Sequence, residues 1–158
     1  MKLAEALQIR ADLQKRLAQI PVRLRNNSTM QEGTVPAEDP ETILREMDSL
    51  SRQLEQITTD INLTNSSVKD AEGETMTALI SRRDALRRRV EYMRNFLNAA
   101  SEVTMRRQST DIRILPTVNV TEFRKRLDRL SKELRELEMR IQSLNWISEL
   151  ISTSGTAN

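Results

Sequence analysis

The 158-residue chain has no cysteine and no histidine, only three glycines and four prolines, and two Phe, one Tyr and one Trp as its aromatic side chains. Without thiols and imidazoles there is no disulfide framework, no Cys or His zinc site, no haem ligation, and no cysteine nucleophile or histidine base. No run approaches the ~18 consecutive apolar residues of a membrane-spanning helix. The opening Met1-Lys2-Leu3-Ala4-Glu5 lacks the apolar core of a signal peptide, so a cytoplasmic location is expected. No cofactor, metal or small-molecule substrate is expected either.

What is there suits long helices. The apolar residues are mostly Leu, Ile, Met and Ala, which pack in narrow helix–helix seams. Twenty-five basic residues face 23 acidic ones, a net +2 with arginine far ahead of lysine. Arginine favours planar, bidentate pairing. The charge is uneven: residues 31–74 are strongly acidic and residues 82–113 strongly basic. Such blocks suit each other or an outside partner.

Apolar spacing of three and four marks four helices. The first runs from about Lys2 to Arg25 along Leu3, Ala6, Arg10, Leu13, Leu17, Ile20 and Leu24. Pro21 predicts a kink or early end. Residues 27–38 read as a polar linker, and Asp39-Pro40-Glu41 as a helix start with a capping carboxylate and proline at the first position. The second seam is Ile43, Met47, Leu50, Leu54, Ile57 and Ile61, closing in the polar Asn62–Ser67 stretch. After a loop ending at Gly73, Thr75 or Thr77 caps a third helix along Met76, Leu79, Arg83, Leu86, Val90, Met93 and Leu97.

The period then changes. Val103-Thr104-Met105-Arg106 and Asp111-Ile112-Arg113-Ile114-Leu115 are β-rich, which predicts a small hairpin over 102–116 stopped by Pro116. Asn119 and Glu122 have capping-box spacing before the last helix, expected from Thr121 to Ile151. Its seam is Phe123, Leu127, Leu130, Leu134, Leu137, Ile141 and Leu144. The expected fold class is all-α dominated: a long-helix bundle or coiled-coil array of four main helices, with that β-hairpin between the third and fourth. Residues 1–151 form a single domain in this reading and 152–158 a flexible tail. Beyond the heptads, no internal repeat is read.

Several stretches resemble the septicolysin-like family of small bacterial helical proteins. They are Met1-Lys2-Leu3-Ala4-Glu5-Ala6-Leu7 with Arg10–Arg16, Gln31-Glu32-Gly33 with Pro36–Pro40, Ile61-Asn62 with Thr64-Asn65, Leu115–Val118, and Arg140–Trp146. The resemblance runs nearly end to end. Its name implies a membrane-active cytolysin, without supplying catalytic residues. The predicted hairpin arms of about five residues fall short of the ~9–11 that a spanning barrel strand needs, so a membrane partner is not expected.

Arg10 and Arg83 interrupt two apolar seams. A buried guanidinium requires a carboxylate, carbonyl or anion, so both are candidate pairing or anion contacts, with Asp12, Asp48, Asp60 and Asp84 as partners to choose among. Arg82, Arg87, Arg88, Arg89 and Arg94, with Arg83, make a basic run that either docks on the acidic second helix or binds nucleic acid. Glu133, Glu136 and Glu138 suggest a metal-assisted hydrolase only remotely, because Lys132 and Arg140 stand at ion-pair spacing. Tyr92 and Trp146 read as amphipathic packing residues at a helix or subunit boundary. The leading expectation is a structural or protein-interaction module, a dimer or larger homo-oligomer without catalytic activity, zipped along the Phe123–Leu144 seam. Nucleic-acid binding through Arg82–Arg94 and cytolysin-like membrane activity are the alternatives.

Overall fold

The computed structural model describes residues 1–105 and 114–153. They form four α-helices: α1 (Leu3–Asn26), α2 (Pro40–Ser67), α3 (Met76–Met105) and α4 (Val120–Ile147). The chain divides into two compact units, one of Met1–Val68 with the residues from Asn145 onward, the other of Lys69–Leu144.

In the first unit α1 and α2 lie antiparallel. Arg23 near the end of α1 reaches Glu38 just before α2, and both Arg16 and Arg23 reach Glu46. The core is the predicted stripe: Leu3, Ala6, Leu13 and Ile20 against Ile43, Leu50, Ile57 and Ile61, all buried. Pro21 sits inside α1, which continues to Asn26. Asp39 caps α2 by accepting the N–H groups of Glu41 and Thr42, both at 3.2 Å. At the other end α2 continues through the polar stretch to Ser67. The hydroxyls of Thr64 and Ser67 donate to carbonyls one turn back, at Asp60 and Leu63, so they are satisfied without ending the helix.

The chain's beginning and its last described residues meet in this unit. The Leu3 N–H donates to the Ser148 carbonyl at 3.0 Å and the Leu150 N–H to the Met1 carbonyl at 2.9 Å. That pairing ends α4 at Ile147, short of the expected Ile151. Ile151 and Thr153 then bind side chains of α2: the Ile151 N–H donates to Thr64 Oγ1, and both the N–H and the hydroxyl of Thr153 donate to Asp60 Oδ1, each at 2.9 Å.

In the second unit α3 and α4 are likewise antiparallel, joined by Arg87–Glu138 at 2.5 Å and by the ring pair Phe96–Phe123. The turn into α3 is organised by Asp70, whose carboxylate accepts the N–H groups of Glu72 and Glu74 at 2.9 Å. Gly73 supplies the positive φ of +84° this turn requires. The Thr75 hydroxyl caps α3 on the Ala78 N–H, and Asn119 caps α4 on the Glu122 N–H.

The β-hairpin predicted over 102–116 is corrected. Glu102–Met105 complete α3, Ile114–Pro116 carry no strand, and the only β pairing among the described residues is two isolated bridges, Lys2–Glu149 and Lys69–Thr75. Residues 106–113, the middle of that prediction, lie outside the described residues. The physical reason is that β-branched propensity is a weak preference, and helix α3 arrives at Val103-Thr104 already propagating.

The two hairpins repeat each other in register. Leu3, Ala6, Arg10, Leu13, Leu17, Ile20 and Leu24 of α1 match Met76, Leu79, Arg83, Leu86, Val90, Met93 and Leu97 of α3 at one constant offset. Asp39, Ile43, Leu50, Ile57, Ile61 and Asn65 match Asn119, Phe123, Leu130, Leu137, Ile141 and Asn145 at another, so capping residue corresponds to capping residue. Neither offset changes along the helices.

Candidate functional site

Most arginines of the basic run that have partners find them locally. Arg82 pairs with Glu74, Arg83 with its neighbour Asp84 through Nε and Nη2 at 2.9 and 2.7 Å, and Arg87 with Glu138, which raises the Arg87 pKa. Arg88, Arg89 and Arg94 are exposed and form no ion pair among the described residues. Arg10 is half-buried and likewise has none. Of its four possible partners, Asp84 serves Arg83, while Asp60 is taken by Thr153 and Gln56. The Thr153 N–H chiefly holds the buried Asp60 carboxyl below its usual value.

The three glutamates of α4 are not gathered into a site: Glu138 serves Arg87 and Glu136 pairs with Lys132. Carboxylates gather instead at Asp70, Glu72 and Glu74, whose oxygens lie within 4.8 Å of one another. Arg140 stands among them and donates to all three. It lowers the Asp70 pKa more than any other neighbour. The cluster therefore already holds its cation, a guanidinium.

An open groove runs between α3 and the first half of α4. Arg89, Tyr92, Met93, Phe96, Phe123, Arg126, Arg129 and Leu130 line about 470 Å³ of it. The Phe96 and Phe123 rings are 5.9 Å apart at 53°, and Arg126 Cζ lies 5.1 Å over the Phe123 ring, within cation–π range. Tyr92 is 66% exposed and Phe96 42% exposed, so Tyr92 is a surface ring in the single chain. Arg89, Arg126 and Arg129 have no carboxylate partner among the described residues.

Register with the first hairpin explains why this groove is open and positive. Ile20, Ile43 and Leu50 are buried, at 2%, 0% and 1% exposure. Their counterparts Met93, Phe123 and Leu130 are only half-buried. Arg16, Arg23 and Glu46 of the first hairpin form an ion-pair network, in which Arg23 first and then Arg16 lower the Glu46 pKa. The same three positions in the second hairpin are Arg89, Phe96 and Arg126. Where the first hairpin has its bridging acid the second has a second arginine, Arg126, and Arg89 is left without a carboxylate.

The expected oligomer seam divides accordingly. Leu137, Ile141 and Leu144 are buried within the chain, while Phe123, Leu127, Leu130 and Leu134 are half-buried. The sequence places Phe123 and Leu130 on the seam, but its heptad pattern does not single out Arg126 and Arg129. Comparing position 46 with position 126 was the available signal.

Fold and site together define an all-α protein of two register-matched helical hairpins with an arginine-lined groove in the second. The chain belongs to DUF6847, a family of unknown function whose model matches residues 10–150. It is similar to a solved structure described as a functionally unknown conserved protein from Corynebacterium diphtheriae. That likeness has 34% identity and a TM-score of 0.90, and covers 96% of this chain and 99% of the other. No curated protein matches. Among the described residues, no helix is long and apolar enough to cross a membrane.

Proposed function

We propose that this chain is a non-catalytic protein-interaction module that self-associates, as a dimer or larger, through the open α3–α4 face. One observation carries the reading: positions closed in the first hairpin, Ile20, Ile43 and Leu50, correspond to half-exposed Met93, Phe123 and Leu130 in the second. Apolar surface left in water costs roughly 25 cal/mol per Å². A contiguous patch of rings and aliphatics rimmed by charge is the usual mark of an interaction site. The arginine enrichment fits as well, since arginine and tyrosine are over-represented at the centres of protein interfaces.

Light scattering on the full chain at micromolar concentration tests this. The reading predicts a mass at least double the 18.2 kDa of one chain, returning to that of one chain when L130R places a charge in the open stripe. A single-chain mass for the wild type at every concentration would overturn it.

A further inference from the structure

The open face needs carboxylates as well as apolar cover, and the chain carries a helix face that offers them. Arg89, Arg126 and Arg129 line the groove unpaired, and the position where the first hairpin keeps Glu46 is here Arg126. On α2, Glu41, Asp48 and Glu55 recur at every seventh residue, are exposed, and form no ion pair among the described residues. Leu44, 38% exposed, and Ser51 lie between them on the same stripe.

We propose that the groove between α3 and α4 receives helix α2 of a second copy, with the Glu41–Asp48–Glu55 stripe on Arg89, Arg126 and Arg129 and Leu44 against the Tyr92–Phe96–Phe123 rings. This rests on the self-association proposed above and names its partner surface. The mode is an amphipathic helix laid in a groove. The acid stripe spans about 21 Å at 1.5 Å per residue and the groove lining two turns of each helix, so with Leu44 on the rings Glu41 and Asp48 meet the arginines and Glu55 lies at the groove's end. The docked carboxylates restore the pairing that Glu46 provides in the first hairpin. Other segments of the chain fit less well. Asp70, Glu72 and Glu74 already hold Arg140, and residues 106–113 bring three arginines against one aspartate, the wrong sign for this groove.

A charge-swap experiment tests the proposal on the full chain. Light scattering is applied to the wild type, to R89E/R126E/R129E, to E41K/D48K/E55K, and to an equimolar mixture of the two variants, with helix content checked by circular dichroism. The expected result is an oligomeric wild type that shifts toward single chains as salt rises, two variants that are each single chains, and recovery of the higher mass on mixing. Variants that stay oligomeric, or a mixture that stays monomeric, would overturn this docking mode while leaving self-association standing. A monomeric wild type would overturn both. A wild type that remains monomeric and binds a short single-stranded oligonucleotide, with affinity lost in R89E/R126E/R129E, would reassign the groove to nucleic acid and likewise overturn it.

Discussion

Asp70 shows how much of this molecule is decided by single side chains whose partners lie far off in sequence. Its carboxylate closes the turn into α3 through two backbone N–H groups and also receives Arg140 from α4, seventy residues away. These contacts favour the charged form, so the folded pKa lies below the ordinary 3.8. A carboxylate depressed in the folded state stabilises fully above its unfolded pKa, and that stabilisation is lost as pH falls through the folded value. D70N is therefore expected to be less stable than the wild type at neutral pH, with the gap holding down to about pH 5 and closing in stronger acid. Denaturant melts of both proteins across that range check it, and a gap that stays constant as pH falls from about 5 into strong acid would contradict the assignment. Sequence spacing cannot reveal such a pairing. Arg140 has Glu136 one turn away, which made a local ion pair the natural expectation, whereas the turn at 70–74 brings three acids to it from another element.

At the scale of elements, the helices were readable because each carries its own complete signal. Their seams follow the heptad rhythm, and Asp39, Thr75 and Asn119 each cap the helix they precede. What failed were the ends, where tertiary contacts outweigh local preference. Val103-Thr104 reads as strand yet completes α3, and Trp146–Ile151 continues the apolar rhythm of α4 although Ser148 and Leu150 leave the helix to pair with Leu3 and Met1. The register match between hairpins was equally hard to see, because the second has seven more residues between its two seams and the matched seam residues are mostly different apolar types. The last described residues are held on α2 by Asp60, which accepts from Thr153 twice and from Gln56 once. D60A removes the charged acceptor of three part-buried hydrogen bonds and is expected to cost about 1–2 kcal/mol. Hydrogen exchange should show the Ile151 and Thr153 amides losing protection well before those of mid-α2. Equal protection in wild type and variant would mean that the segment is held by something else.

For the whole molecule, the two hairpins differ less in framework than in what has been exchanged on it. The first buries Ile20, Ile43 and Leu50 and pairs Arg16 and Arg23 with Glu38 and Glu46. The second keeps the same seam but replaces Arg23 by Phe96 and Glu46 by Arg126, and its face is open and positive. The basic run was visible in the sequence, and so was the acidic block. Their relation was not, because which arginines are already paired depends on contacts such as Arg87–Glu138 and Arg82–Glu74. Subtracting those pairs leaves Arg89, Arg126 and Arg129 around the aromatic rings, which is where a partner adds most.

Hydroxyl-radical footprinting reads, side chain by side chain, whether that face is covered in solution. Tyr92 and Phe96 are exposed in the single chain, as is Trp146 in the other unit. With rising protein concentration, Tyr92 and Phe96 are predicted to become protected while Trp146 stays reactive. Oxidation of Tyr92 and Phe96 at the same rate in dilute and concentrated protein would show a face that nothing covers, and would contradict the account.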